Sequence, residues 1–546
     1  MGGKGLTSVL VALAVIGVSP IPSQSSRLPA APAEPLQVAN YDISIDVPDS
    51  GTTIGARAEL TVVRQAPADT LRLDFVGLRV DSVLVNDRQA RFRRDSSHLF
   101  VALPGGSQDT LHVSVTYGGS PTDGLIIHTA GEGRRWTAFG DNWPTRARYW
   151  IPSIDTPADK ATVSWTVTAP VDRTVVANGQ LLERSVVNGP GARARWVWRE
   201  HNPVPTYVMV IAVAKLDSVD LGRTACGLGE RAGCVQQTVY LAPEAMDWAP
   251  GPFARAGEMV SFFGRLIAPF PYERLVHVQS STRFGGMENA TAIFYSDEAV
   301  RSRTLREETV AHETAHQWFG DAVTPQRFAD VWLSEGFATY WADLWVRHAS
   351  GDSAFRDAMD QQRREILGST TSAARPVIDT TETDFLRLLN TNSYQKGAWA
   401  LHMLRVQLGD SVFVRGVRAY YAAHRHGTAR TDDLEHALEG AAGDSLRWFF
   451  DQWLRRPGWP EVSLKWRYDG ASRRVTLSVE QSRRFAPYRF PLTVALRDGD
   501  GRAHKVTVQV AAVPTQSFVL PMALSESPRS LDPDPDVELL ASFHAS

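Results

Sequence analysis

The segment His312-Glu313-Thr314-Ala315-His316 sets two imidazoles four residues apart, and Glu335 follows after eighteen intervening residues. On a helix, side chains at i and i+4 share a face, so both histidines can reach one metal ion. Glu335 falls in a second helical stretch, Ser334 to Val346. A carboxylate from another helix would complete three protein ligands and leave a fourth position for water, as in catalytic zinc sites. One Zn2+ held in this way lowers the pKa of its water to about 7, so that hydroxide is available at neutral pH. Glu313 adjoins the first ligand and is placed to take a proton from that water, the work of a general base.

Such a centre needs two helices fixed against each other. Val310 and Ala311 lead into the histidine motif, Trp318 and Phe319 follow it, and Pro and Gly are absent from Leu305 to Phe319. That spacing predicts a buried helix. The same period predicts helices over Phe253 to Ile267, Glu335 to Val346, Tyr394 to Leu408 and Ser445 to Leu454. Upstream, from Tyr41 to about Leu216, the period is two: Tyr41, Ile43, Ile45 and Val47 alternate with polar residues, as do Leu111, Val113, Val115 and Tyr117. These are half-buried strands. Asn178-Gly179, between Val175-Val176 and Leu181-Leu182, reads as a hairpin turn. Arg455 to Pro460 ends the helical region, and alternating strands resume with Asp498-Gly499-Asp500-Gly501 as a turn. The expected fold class is α+β and multidomain. Residues 1-33 form a signal and mature N-terminal segment, 34-216 an all-β domain, 217-456 a mainly helical catalytic domain and 457-546 a β-sandwich.

With 546 residues, 43% hydrophobic, and a net charge of -3, the chain has the composition of an ordinary globular protein, with no electrostatic case for nucleic acid. Lys4 precedes an apolar run, Leu6 to Val18, too short to span a bilayer and followed by a Pro, Ser and Ala-rich segment. This reads as an export signal, giving a periplasmic or secreted protein without a membrane span in the mature chain. An uncleaved N-terminal anchor is the alternative. Cys226 and Cys234 are the two cysteines and enclose a glycine-rich loop that could bring them together as a disulfide in an oxidising compartment.

From about Tyr41 onward the chain resembles the zinc aminopeptidases of the aminopeptidase N family. Gly285-Gly286-Met287-Glu288-Asn289 matches the family's G-x-M-E-N element, with Gly286 where alanine is usual. Trp332-Leu333-Ser334-Glu335-Gly336-Phe337-Ala338 is similar to the segment around the third ligand, and Tyr394-Gln395-Lys396-Gly397-Ala398 to the catalytic-tyrosine segment. Pro152 to Pro157 with Lys160-Ala161-Thr162 resembles an N-terminal-domain signature. The resemblance implies a thermolysin-like catalytic domain that removes N-terminal residues from peptides with a free N-terminus. It implies zinc on His312, His316 and Glu335, Glu313 as general base, Tyr394 as oxyanion donor, and Glu288 as the carboxylate that holds the α-ammonium group. A buried carboxylate makes a charge-assisted hydrogen bond to that group, and an internal peptide has no charge to offer there.

Two departures qualify the match. Many members add a second amine-binding carboxylate from a Gln-x-Glu-Pro segment, where this chain reads Asp141-Asn142-Trp143-Pro144. Asp141 is the candidate replacement, and the ring of Trp143 offers a cation–π face. Larger members also carry a helical domain that caps the cleft, whereas about 85 mostly strand-like residues follow Pro460 here. That implies a more open cleft. The zinc motif alone would equally suit an endopeptidase or another zinc hydrolase, and Glu288 is what discriminates against them. A non-catalytic scaffold is the remaining alternative, opposed by the presence of every residue that loss of catalysis would be expected to strike.

Overall fold

The computed structural model describes residues 35–105, 109–131, 135–187, 191–225 and 234–545. The expected export segment and Cys226 lie outside the described residues; Cys234 is disulfide-bonded. Among the described residues no helix is long and apolar enough to cross a membrane.

The first region is β-rich. An eight-stranded sheet runs, in spatial order, through Gln180–Val187, Arg193–Pro205, Lys160–Pro170, Leu36–Asp46, Ile54–Arg64, Thr110–Gly119, Arg79–Val85 and Arg88–Gln89. Its alternation follows the sequence pattern, with Tyr41, Ile43 and Ile45 buried. A bulge between Val38 and Asn40 shifts the register, so that Leu36 and Val38 also face the core. Smaller sheets pack beside it, one of them ordered Thr174–Ala177, Ile211–Ala214, Thr137–Gly140 and Leu125–His128.

The Asn178-Gly179 hairpin does not form. Thr174–Ala177 pairs with Ile211–Ala214 in the four-stranded sheet, while Gln180–Val187 pairs with Arg193–Pro205 in the eight-stranded one. The two residues turn the chain from one sheet into another. Local turn chemistry is the same in both cases, and the partner of each strand is decided by distant residues that a short window does not contain.

A five-stranded sheet opens the second region, ordered Asp217–Thr224, Val235–Leu241, Arg274–Ser280, Ala292–Ser296 and Gly286–Met287. The last strand is its edge. Helices follow at Ala256–Leu266, Glu307–His316, Trp332–Gly368, Gly397–Leu408, Asp410–His424, Thr431–Ala442 and Arg447–Trp453. Trp332–Gly368 runs well beyond the expected Val346 and is interrupted at Gly351, whose φ of 88° and ψ of 175° are not helical. The segment expected to open a helix at Tyr394 is instead a π-helical turn, Asn392–Lys396, leading into Gly397–Leu408. Wide turns of this kind collect at functional sites. The C-terminal region is β-rich, with sheets of four and three strands, and Phe490–Arg497 pairs with Ala503–Val510 across the expected turn.

Buried apolar side chains of all three regions form one continuous cluster. Polar contacts fix their relation further. Lys160, 5% exposed, donates from Nζ to Asp321 O at 2.8 Å, Ala322 O at 3.0 Å and Gly427 O at 3.1 Å. Asp534 of the C-terminal region meets Arg363 of the long helix at 2.7 Å. Lys160→Met keeps the volume but leaves three carbonyls without their donor. It should lower stability by about 2–3 kcal/mol, read from urea unfolding; a change below about 0.5 kcal/mol would show that the clamp contributes nothing.

Candidate active site

The histidine helix, Glu307–His316, carries Glu307 and Glu308 in its first turn, where carboxylates suit the helix dipole. It packs beside the start of Trp332–Gly368, and the two bring three ligand atoms together. His312 Nε2 and His316 Nε2 are 3.0 Å apart, and Glu335 Oε2 is 3.3 Å from each. That oxygen is buried and has no hydrogen-bond partner. His316 Nδ1 lies 3.1 Å from Phe319 O and 3.0 Å from Ser334 Oγ, so a proton on Nδ1 can be donated to the carbonyl and Nε2 stays free for a metal. Two imidazoles, one carboxylate and an orphaned buried oxygen fit zinc, and the described residues present no fourth protein donor in that group.

The charges of the centre are strongly coupled. Burial alone would raise Glu335 and lower His316. Their mutual attraction reverses both, taking Glu335 to about 2 and, with Glu288 and Glu313 adding to it, His316 to about 10. His312 stays below the ordinary histidine range because burial dominates. Three buried carboxylates around two imidazoles make a pocket suited to a cation.

Glu313 points from the same helix and is 5% exposed. Burial, then the charges of Glu288 and Glu335, push its carboxyl well above the usual range, against the pull of His316. One oxygen each from Glu288 and Glu313 and one nitrogen of His316 lie within 4.8 Å of one another. Glu288 is pushed up to about 7, by burial first and then by Glu335 and Asp141. Tyr394 stacks its ring on that of His312, with centroids 5.9 Å apart and planes at 14°. Burial and the carboxylates Glu335, Glu288 and Glu313 hold its phenol well above its usual pKa, so it keeps its proton.

Two glycines bring the tyrosine this close. A Cβ on Gly336 would lie 2.9 Å from Gly397 C, and one on Gly397 3.0 Å from Gly336 Cα. The backbone after Glu335 therefore touches the backbone that follows Lys396. No larger residue fits at either position without separating the ligand helix from the tyrosine turn.

These groups line a cleft of about 970 Å³ with Trp143, Gly285, Gly286 and Met287, and it continues to Asp343 and Asp357 of the long helix. Gly286 and Met287 form the edge strand, with Tyr295 and Phe294 as partners on its inner side. Asn289-Ala290-Thr291 has the pattern of a glycosylation sequon, but Asn289 is fully buried and not accessible. Asp141 is 2% exposed and does not line the cleft. Its Oδ1 is 2.8 Å from Arg146 Nη2 and its Oδ2 is 3.6 Å from Arg283 Nε. Trp143 stands at the cleft wall instead, edge-on to Phe284 and Phe328.

Sequence reasoning did not single out Gln317 or Ser334. Gln317 Nε2 donates to Glu288 O at 3.1 Å and to Asp321 Oδ2 at 2.8 Å, and its Oε1 accepts from Thr291 N at 2.9 Å. It joins the histidine helix to the loop that carries Glu288. Its position directly after the motif was the available signal, but an amide's partners are set in three dimensions.

Residues 37–208 match the peptidase M1 N-terminal domain and residues 255–453 the peptidase family M1 domain. Aminopeptidase M1 of Arabidopsis thaliana is 30% identical over 362 residues, which are 62% of this chain and 38% of that protein. Overall the chain spans about half the length of the curated relatives it matches, for example 54% and 56% for two archaeal ones. A mutant M1 zinc metallopeptidase from Deinococcus radiodurans, solved with a Tyr-Ser-Ala substrate, is 25% identical with a TM-score of 0.67 over 77% of this chain and 94% of that one. Legionella pneumophila aminopeptidase A, at 18% identity and a TM-score of 0.80, covers 94% of this chain and 60% of its own, and shows the shared fold. With both family domains matched in order around a two-histidine, one-glutamate centre, the chain belongs to the M1 family of peptidases.

Proposed function

We propose that this protein is a zinc aminopeptidase that removes N-terminal residues from peptides. The observation that carries the reading is the position of Glu288, a buried carboxylate whose oxygen shares a 4.8 Å neighbourhood with Glu313 and the ligand His316. A carboxylate so near the reacting centre can hold the α-ammonium group only when the first peptide bond lies over the metal site. Peptide substrates are further supported by the Deinococcus radiodurans relative solved with a tripeptide.

Zinc held by His312, His316 and Glu335 would acidify a water and polarise the scissile carbonyl. Glu313 takes the proton of the attacking water and returns it to the departing amine nitrogen. Tyr394 O–H donates to the oxygen on which negative charge develops. The free edge of Gly286–Met287 pairs with the substrate main chain, as an added strand pairs with a sheet. Asp141 faces Arg146, so the ammonium rests on Glu288, with Trp143 closing the cleft beside it.

Hydrolysis of a panel of aminoacyl-arylamides tests the reading. Release should be abolished by chelation and restored by zinc, and Glu313→Ala should lower kcat by about 10²–10⁴-fold. No release from any free-amine substrate by folded, zinc-loaded protein would refute it. N-terminal acetylation should abolish cleavage by the wild type, and Glu288→Ala should raise KM for free-amine substrates; equal rates on blocked and free peptides would point to an endopeptidase.

Gly286 gives a finer test. A Cβ there would lie 2.2 Å from Glu313 Oε1 and 2.4 Å from its Cδ. The alanine usual in similar proteins would thus force this glutamate elsewhere. Gly286→Ala should lower kcat by about 10–100-fold with zinc content unchanged, because a displacement near 1 Å costs that much. Steady-state kinetics with metal analysis would decide it.

A further inference from the structure

We propose that Asn178, in the N-terminal β-rich region, is a positioning residue for Glu288, and that the Asn178-Gly179 turn and Gln317 together clamp the amine-binding loop. The proposal rests on Glu288 being the amine-binding carboxylate.

Asn178 is fully buried. An asparagine in an ordinary turn bonds backbone two residues on. This one reaches much farther. Nδ2 donates to Val208 O at 2.8 Å and to Ala290 O at 2.7 Å, and Oδ1 accepts from Val210 N at 2.7 Å. Gly179 N donates to Thr291 Oγ1 at 2.6 Å. Gly179 has a φ of +79°, and a Cβ on it would lie 1.8 Å from Arg199 O, so both residues of the turn are fixed by tertiary contacts.

The loop they grip follows directly on Glu288. Thr291 holds a φ of +64°, uncommon for a β-branched residue. From the histidine motif's end Gln317 Nε2 donates to Glu288 O and its Oε1 accepts from Thr291 N. Glu288 O, Ala290 O, Thr291 N and Thr291 Oγ1 are therefore each held by a side chain or turn of another segment. Without Asn178 the carbonyl two residues beyond Glu288 loses its donor in a place water does not reach, and the loop is left to Gln317 alone. A carboxylate that must meet a substrate ammonium tolerates displacement of only about 0.5 Å.

Asn178→Asp keeps an acceptor for Val210 N and removes both donated bonds. KM for a free-amine arylamide should rise about tenfold with kcat changed less than about threefold, and discrimination against the N-acetylated substrate should fall by the same factor. In a Glu288→Gln background the added Asn178→Asp change should have no effect on KM, since the residue acts through Glu288. Unchanged discrimination in Asn178→Asp, or an equal KM loss in the Glu288→Gln background, would overturn the clamp while the aminopeptidase reading stands. A wild type that cleaves blocked and free substrates alike would overturn both. Should the aspartate variant melt below the assay temperature, Thr291→Val, which removes the acceptor used by Gly179 N, carries the same two expectations.

Discussion

The cleft is organised around one constraint, that Glu335 Oε2 lies 3.3 Å from two imidazole nitrogens on a different helix. Bringing a carboxylate and two imidazoles out of water is costly unless each is paired, and here Glu313 and Glu288 add two more buried acids. Attraction between His316 and Glu335 outweighs the effect of burial on both groups. The rest of the cleft supplies rigidity. Phe319 O and Ser334 Oγ orient His316, and the contact between Gly336 and Gly397 presses the tyrosine turn against the ligand helix.

The N-terminal β-rich region is part of this machinery. Lys160 reaches over to two carbonyls of the segment that follows the histidine helix and to Gly427 O, and Tyr207 O–H donates to Gly320 O at 3.1 Å. Trp143 supplies cleft wall, and Asn178 grips the loop after Glu288. The two-histidine, one-glutamate cluster on two helices and the loop that follows Glu288 are thus referred to one another through a neighbouring sheet. That coupling explains why polar residues of the β-rich region are buried without facing the cleft: Asn178, Asp155 and Lys160 spend their hydrogen bonds on relating segments.

The edge strand shows the same economy of position. Gly286–Met287 has one side occupied by Phe294 and Tyr295 and the other turned to the cleft. A free sheet edge is a liability on a surface. Here it is recessed in the cleft, and the absence of a side chain at Gly286 makes room for Glu313.

The sequence by itself determined the elements whose signal is periodic or local. The alternation around Tyr41 and Ile43, the helical spacing around His312 and His316, and the interval to Glu335 could be read because side-chain direction follows secondary structure. Family-like segments then pointed to Glu288 and Tyr394. The tertiary structure alone decided which distant groups meet. Asn178-Gly179 carries the same local preference in a hairpin and in a passage between sheets, so its strands' partners and its grip on Ala290 O were beyond a local reading. Asp141 has the chemistry of an amine ligand, yet it pairs with Arg146 and does not line the cleft. Tyr394 falls on a π-helical turn, and the Gly397 that follows it touches Gly336, a residue some sixty positions away. Hydrogen-bond partners, packing contacts and ion pairs depend on through-space distance, which a pattern along the chain does not encode.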